Sequence, residues 1–139
     1  SKHVEAHLNL GDAYRATQQW VKAKESFDRA LRMRSELPEA HFNLALMYLS
    51  AGAEFPGMDL LTALARAREE FGNYRRMKGT GLQREDPSTR YLEDIDKSIR
   101  REEKRIKREQ ARAERERQRA ARRAAQAEGE GAESQEAEE

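Results

Sequence analysis

The sequence predicts an all-α protein: two helix-turn-helix units, a capping segment and a long charged C-terminal helix. Three observations predict it. The chain repeats itself at an offset of 34, where Glu5-Ala6-His7-Leu8-Asn9-Leu10-Gly11-Asp12-Ala13-Tyr14 falls on Glu39-Ala40-His41-Phe42-Asn43-Leu44-Ala45-Leu46-Met47-Tyr48 with six of ten positions identical. Large side chains recur at spacings of three and four, which keeps them on one face of a helix. From Ser88 to Ala127 the chain holds no proline or glycine and consists largely of Glu, Arg, Lys, Ala and Gln, all strong helix formers.

Each element follows from local chemistry. In the first unit Gly11 lets one helix approach its partner, and Leu10, Tyr14, Phe27 and Leu31 are the expected large packing residues around Ala23 and Ala30. Thr17-Gln18-Gln19 reads as the turn, and Pro38 suits the first turn of the next helix. In the second unit Leu60, Leu64 and Ala67 are read as counterparts of Ala23, Phe27 and Ala30 at an offset of 37, which implies three extra residues around Ser50–Gly57. That glycine- and proline-bearing loop is either a binding loop or a plain connector. The expected helices are 3–16, 20–34, 38–51 and 58–74, giving a repeat domain over 1–74 with units near 3–37 and 38–74. Residues 75–87 form an expected linker, basic and glycine-containing. After it, Tyr91, Leu92, Ile95 and Ile99 supply an apolar face to close the last unit.

Charge is segregated along the chain. Residues 1–96 carry 14 bases and 15 acids, residues 97–123 carry 13 and 5, and residues 124–139 carry none and 6. Every aromatic lies between Tyr14 and Tyr91, and beyond residue 96 only Ile99 and Ile106 exceed alanine in apolar bulk, so a core belongs to the first two-thirds. A helix over 88–127 is expected to project from the stack, held by opposite charges one turn apart such as Glu93 with Lys97, Asp96 with Arg100 and Glu109 with Arg112. Residues 128–139, with six acids and two glycines, read as a disordered acidic tail that could fold back on the basic helix. The basic stretch 97–123 is a solvated spacer or, alternatively, a contact for nucleic acid or an anionic membrane, though it carries no aromatic to stack on bases.

Whole classes of chemistry are missing. There is no cysteine, hence no disulfide, thiolate nucleophile or cysteine-held metal. The longest mostly apolar stretch, Leu44–Ala53, is about half the ~20 residues a membrane span needs. His3 and His7 could share a face as metal ligands but specify no third ligand, and Gly79-Thr80-Gly81 lacks the ending of a phosphate loop. The expectation is a non-enzyme without catalytic residues, cofactor or metal.

The 34-residue period with Leu10-Gly11, Tyr14, Ala23, Phe27 and Ala30 resembles the tetratricopeptide repeat, with His7 and His41 standing where that family usually has tryptophan. The resemblance implies a solenoid scaffold whose concave face, built from the first helix of each unit, takes a protein or peptide partner. Here that groove would comprise Glu5, Leu8, Asn9 and Asp12 beside Glu39, Phe42, Asn43 and Leu46. Asn9 and Asn43 would either hydrogen-bond an extended peptide or tie adjacent helices together. Leu8 and Asp12 replace the lysine and asparagine with which chaperone-binding members clamp a terminal carboxylate.

A narrower resemblance covers most of residues 38–110. Asn43–Leu49, Glu54–Asp59, Phe71-Gly72-Asn73-Tyr74, Asp86-Pro87, Tyr91 and the basic helix are similar to tetratricopeptide lipoproteins of myxobacterial adventurous gliding motility. It implies a periplasmic cell-envelope scaffold with a lipid anchor upstream, whereas the residues alone leave a cytoplasmic location open.

Overall fold

The computed structural model describes residues 2–139, all of which is helix, turn or short connection. Five α-helices follow in order: α1 (Lys2–Ala16), α2 (Trp20–Met33), α3 (Pro38–Ala51), α4 (Leu60–Lys78) and α5 (Pro87–Glu138). Single 3-10 turns lie at Gly52–Glu54 and Gly79–Gly81. Two compact units divide the chain, one ending at Glu102 and the other spanning Glu103–Glu139.

The first unit contains two helical hairpins, α1 with α2 and α3 with α4, stacked through α2 and α3. Its core runs through both, from Val4 and Leu8 past Phe27, Leu44 and Met47 to Phe71 and Ile95. The α1–α2 turn closes by the hydrogen bonds that end a helix around a left-handed residue: Gln19 N–H to Tyr14 C=O at 2.8 Å and Gln18 N–H to Arg15 C=O at 3.0 Å. Gln18 holds φ at +60°, where glycine would be unstrained.

Gly11 sets how closely α1 approaches α2. A Cβ there would lie 2.5–2.8 Å from the Phe27 ring, which is wholly buried and has nowhere to go. Gly72 in α4 differs, since a Cβ would meet nothing within 4 Å.

The second hairpin departs from the expected register. Leu60 is exposed, whereas Leu64, Ala67, Phe71 and Tyr74 are buried. These stand at a constant 44 from the buried Trp20, Ala23, Phe27 and Ala30, so the insertion relative to the 34-residue period is ten residues instead of three. Offsets of 37 and 44 differ by seven, about two helical turns, so periodicity alone places both sets on nearly one face. The insertion holds itself in place. Phe55 is buried 5.8 Å from Tyr48, and Asp59 caps α4 by accepting the Thr62 N–H at 2.7 Å.

Leu10 is a second correction, being 41% exposed where its repeat counterpart Leu44 is 2% exposed. The difference extends along the helix: Leu37, Ala40, Met47 and Ala51 are buried against the first hairpin, while His3, Ala6, Ala13 and Thr17 lie open. Leu10 is an interface residue, and α1 has no hairpin on that side among the described residues. Leu8 fills the core instead.

The expected linker is shorter than 75–87, because α4 runs on through Lys78. In the second unit α5 continues to Glu138, so helix replaces the expected disordered tail. Alanine, glutamate and glutamine support it locally, against about 1 kcal/mol each for Gly129 and Gly131.

We expect Gly11→Ala to destabilise the protein by about 1–3 kcal/mol through overpacking, outweighing its gain of about 1 kcal/mol in helix propensity. Gly72→Ala should raise stability by about 0.5–1 kcal/mol, having the same gain and no clash. Urea denaturation of the two variants measures both signs.

Candidate functional site

The residues expected to line a groove lie on two helices, Glu5, Leu8, Asn9 and Asp12 on α1 and Glu39, Phe42, Asn43 and Leu46 on α3. These eight residues do not share one role. Leu8 is core, and Leu46 packs partly buried against the same cluster. Glu5, Asn9 and Glu39 are exposed.

Asn43 is 9% exposed and donates from Nδ2 to Asp12 Oδ2 at 3.4 Å, a long contact joining the two hairpins. Asn9 is open, because its hairpin has no predecessor to bond among the described residues. Arg15 lies 3.6 Å from Asp12 Oδ1 across one turn of α1. Among the described residues, Asp12 Oδ1 and Arg15 Nε are buried without a hydrogen-bond partner.

Phe42 does not anchor an open groove. Its ring meets Phe71 at 5.4 Å, Tyr74 at 5.0 Å and Tyr91 at 6.1 Å, all edge-on, and Tyr91 stacks on Phe71 at 5.2 Å. On the face that the sequence assigns to a ligand, Tyr91 of α5 covers Phe42. What remains at its edge is a shallow cleft of ≈ 410 Å³ where Glu39 and Phe42 meet Arg34, Lys78 and Pro87.

A polar clasp that no local pattern announces joins α4 to α5. The Tyr74 hydroxyl donates to Asp86 Oδ2 at 2.7 Å, while Asp86 Oδ1 accepts the Ser88 N–H at 2.9 Å and so caps α5. Arg75 reaches Ser88 Oγ at 2.9 Å and Thr89 Oγ1 at 3.0 Å. Burial first, and then the hydrogen bond to Asp86 and its charge, push the Tyr74 hydroxyl up to about 12. Burial works to raise the Asp86 carboxyl too, but hydrogen bonds from Ser88 and Tyr74, with the Arg75 charge, leave it lowered. Asp86-Pro87-Ser88 was legible as a helix start; its tie to Tyr74 needed the fold.

Two further polar features are structural. His41 Nδ1 lies 2.6 Å from Glu70 Oε2, both side chains mostly buried, so the position usually taken by tryptophan ties α3 to α4. Asp96 meets Arg68 of α4 at 3.5 Å, not Arg100 as the sequence suggests. No cluster of three or more potential metal ligands occurs among the described residues, and no described helix is long and apolar enough to cross a membrane.

Residues 11–52 match the family model of the TPR repeat. The matched stretch runs from Gly11 to Gly52, covering the last turns of α1, all of α2 and all of α3. No curated protein and no solved structure matches the chain significantly. The repeat supports a protein-binding scaffold.

The clasp yields a two-sided pH dependence. Asp86, lowered in the fold, contributes stability at neutral pH that is lost as pH falls through the carboxylate range below about 4. Tyr74, raised in the fold, contributes stability that is complete below about pH 10 and is lost as pH rises from there towards 12. Tyr74→Phe should cost about 1–2 kcal/mol and shift the acid-side loss to higher pH, because a donor to the carboxylate is gone. Thermal melts across pH, followed by near-ultraviolet circular dichroism, check both the cost and the shift.

Proposed function

We propose that the protein is a non-catalytic TPR adaptor that holds an extended segment of a partner protein along α1 and α3. The observation that carries this reading is the match of residues 11–52 to the TPR repeat, a unit that stacks into protein-binding surfaces, with Asp12, Arg15 and Asn43 placing polar groups where its two hairpins meet. Asn43 offers both a donor and an acceptor and Asp12 offers acceptors, which match the N–H and C=O of an extended backbone. Glu5, Asn9 and Glu39 offer solvent-accessible polar groups on the same two helices for side-chain selection.

The resemblance to gliding-motility lipoproteins supports a place for this adaptor in a bacterial cell-envelope assembly, with a lipid anchor upstream of the repeats. Palmitate labelling and fractionation of the full-length gene product would test that placement; a soluble, unlabelled product would exclude it. A nucleic-acid role for residues 97–123 draws on charge alone, since that stretch carries no aromatic residue.

Peptides selected from a random phage-displayed library on the immobilised chain provide the test of the adaptor reading. Asp12→Ala and Asn43→Ala should each weaken the selected peptides at least ten-fold while lowering the melting temperature by only a few degrees, as the 3.4 Å contact they share is weak. Peptides that bind both variants as they bind the original would make these positions structural and remove the groove from the account.

A further inference from the structure

We infer that the second unit, Glu103–Glu139, pairs with the same segment of a second copy of this chain, the two helices running antiparallel. Between Glu103 and Arg123 there are ten Lys or Arg and four Glu, a balance of +6; between Ala124 and Glu139 there are six Glu and no base, a balance of -6. The helix is therefore its own complement in reverse order.

The charges cannot neutralise each other within one chain. Both segments lie on the continuous helix α5, and the centres of their basic and acidic side chains, near Ala113 and Ser134, are about twenty residues apart. At 1.5 Å per residue that is about 30 Å, some three screening lengths at ~0.1 M salt. A tail folded back on the basic helix would require the helix to break. The acids inside the basic segment are engaged locally, by Arg105 with Glu109, Arg112 with Glu116 and Arg117 with Glu114, and the excess positive charge remains.

Antiparallel pairing places each -6 segment on a +6 segment at helix-packing distance, about 8–10 Å between axes. Parallel pairing would put like on like. One face of the helix admits such an approach, because Ile106, Ala113, Ala120 and Ala127 follow each other at intervals of seven, the period of a helix seam. Residues 107–139 are exposed throughout. Alanine buries too little apolar surface to hold two helices on its own, so the pairing depends on charge and is salt-labile.

Sedimentation velocity on the full chain tests this. At about 0.05 M salt the chain should dimerise in the micromolar range, with a dissociation constant that rises at least ten-fold by about 0.5 M. The triple variant Glu130→Lys, Glu133→Lys, Glu136→Lys and the triple variant Arg108→Glu, Arg112→Glu, Arg115→Glu should each be monomeric alone. An equimolar mixture of the two should dimerise, because one acidic and one basic segment survive intact. A chain that stays monomeric to about 200 µM in low salt, or a dimer indifferent to salt or to both triple changes, would overturn the inference. A monomer that instead retards duplex DNA would also overturn it and assign the basic segment to nucleic acid.

Discussion

The first unit depends on the ring cluster that Phe42 makes with Phe71, Tyr74 and Tyr91. A helical hairpin cannot bury both of its faces, and a stack of two leaves an apolar face at each end. At the α4 end the face is closed by Tyr91 and Ile95 from a helix outside the repeat, with Ile95 only 1% exposed. Aromatic contacts of this kind add about 0.5–1.5 kcal/mol each beyond their area, so three rings around Phe42 outweigh any single surface ion pair in the unit. The Tyr74–Asp86–Ser88 clasp fixes where that helix begins and therefore which residues it lays on the cluster.

The same closure bears on the proposed groove. With Phe42 covered by Tyr91, the polar residues of the proposed groove are Asp12, Arg15 and Asn43, with the exposed Asn9. The proposed groove would therefore select through hydrogen bonds more than through hydrophobic pockets. At the other end of the unit Leu10 is open where Leu44 is buried, which makes α1 a second apolar edge of the kind that hairpin stacking covers.

The fold was legible because the 34-residue echo and the small residues Gly11, Ala23, Ala30 and Ala45 encode helix–helix approach directly. What stayed illegible has specific causes. The register of α4 was ambiguous by two helical turns, and its choice depended on Phe71, whose burial no local pattern announces. Leu10 and Leu44 are the same residue at the same repeat position; only the neighbour differs, and sequence pattern holds no neighbour. Phe42 looked like a groove anchor for the related reason that Tyr91 lies 49 residues away along the chain. The continuation of α5 beyond Ala127 is a balance between helix-forming side chains and two glycines that composition alone tipped the other way.

Native-state hydrogen exchange on the full chain carrying Tyr91→Ala tests most directly whether α5 completes the repeat unit or merely rests on it. If the ring cluster is the closure, removing one ring of α5 should lower amide protection at least ten-fold across α3 and α4, in the same step as in the first turns of α5. Protection lost only in α5, with α3 and α4 unchanged, would contradict the account.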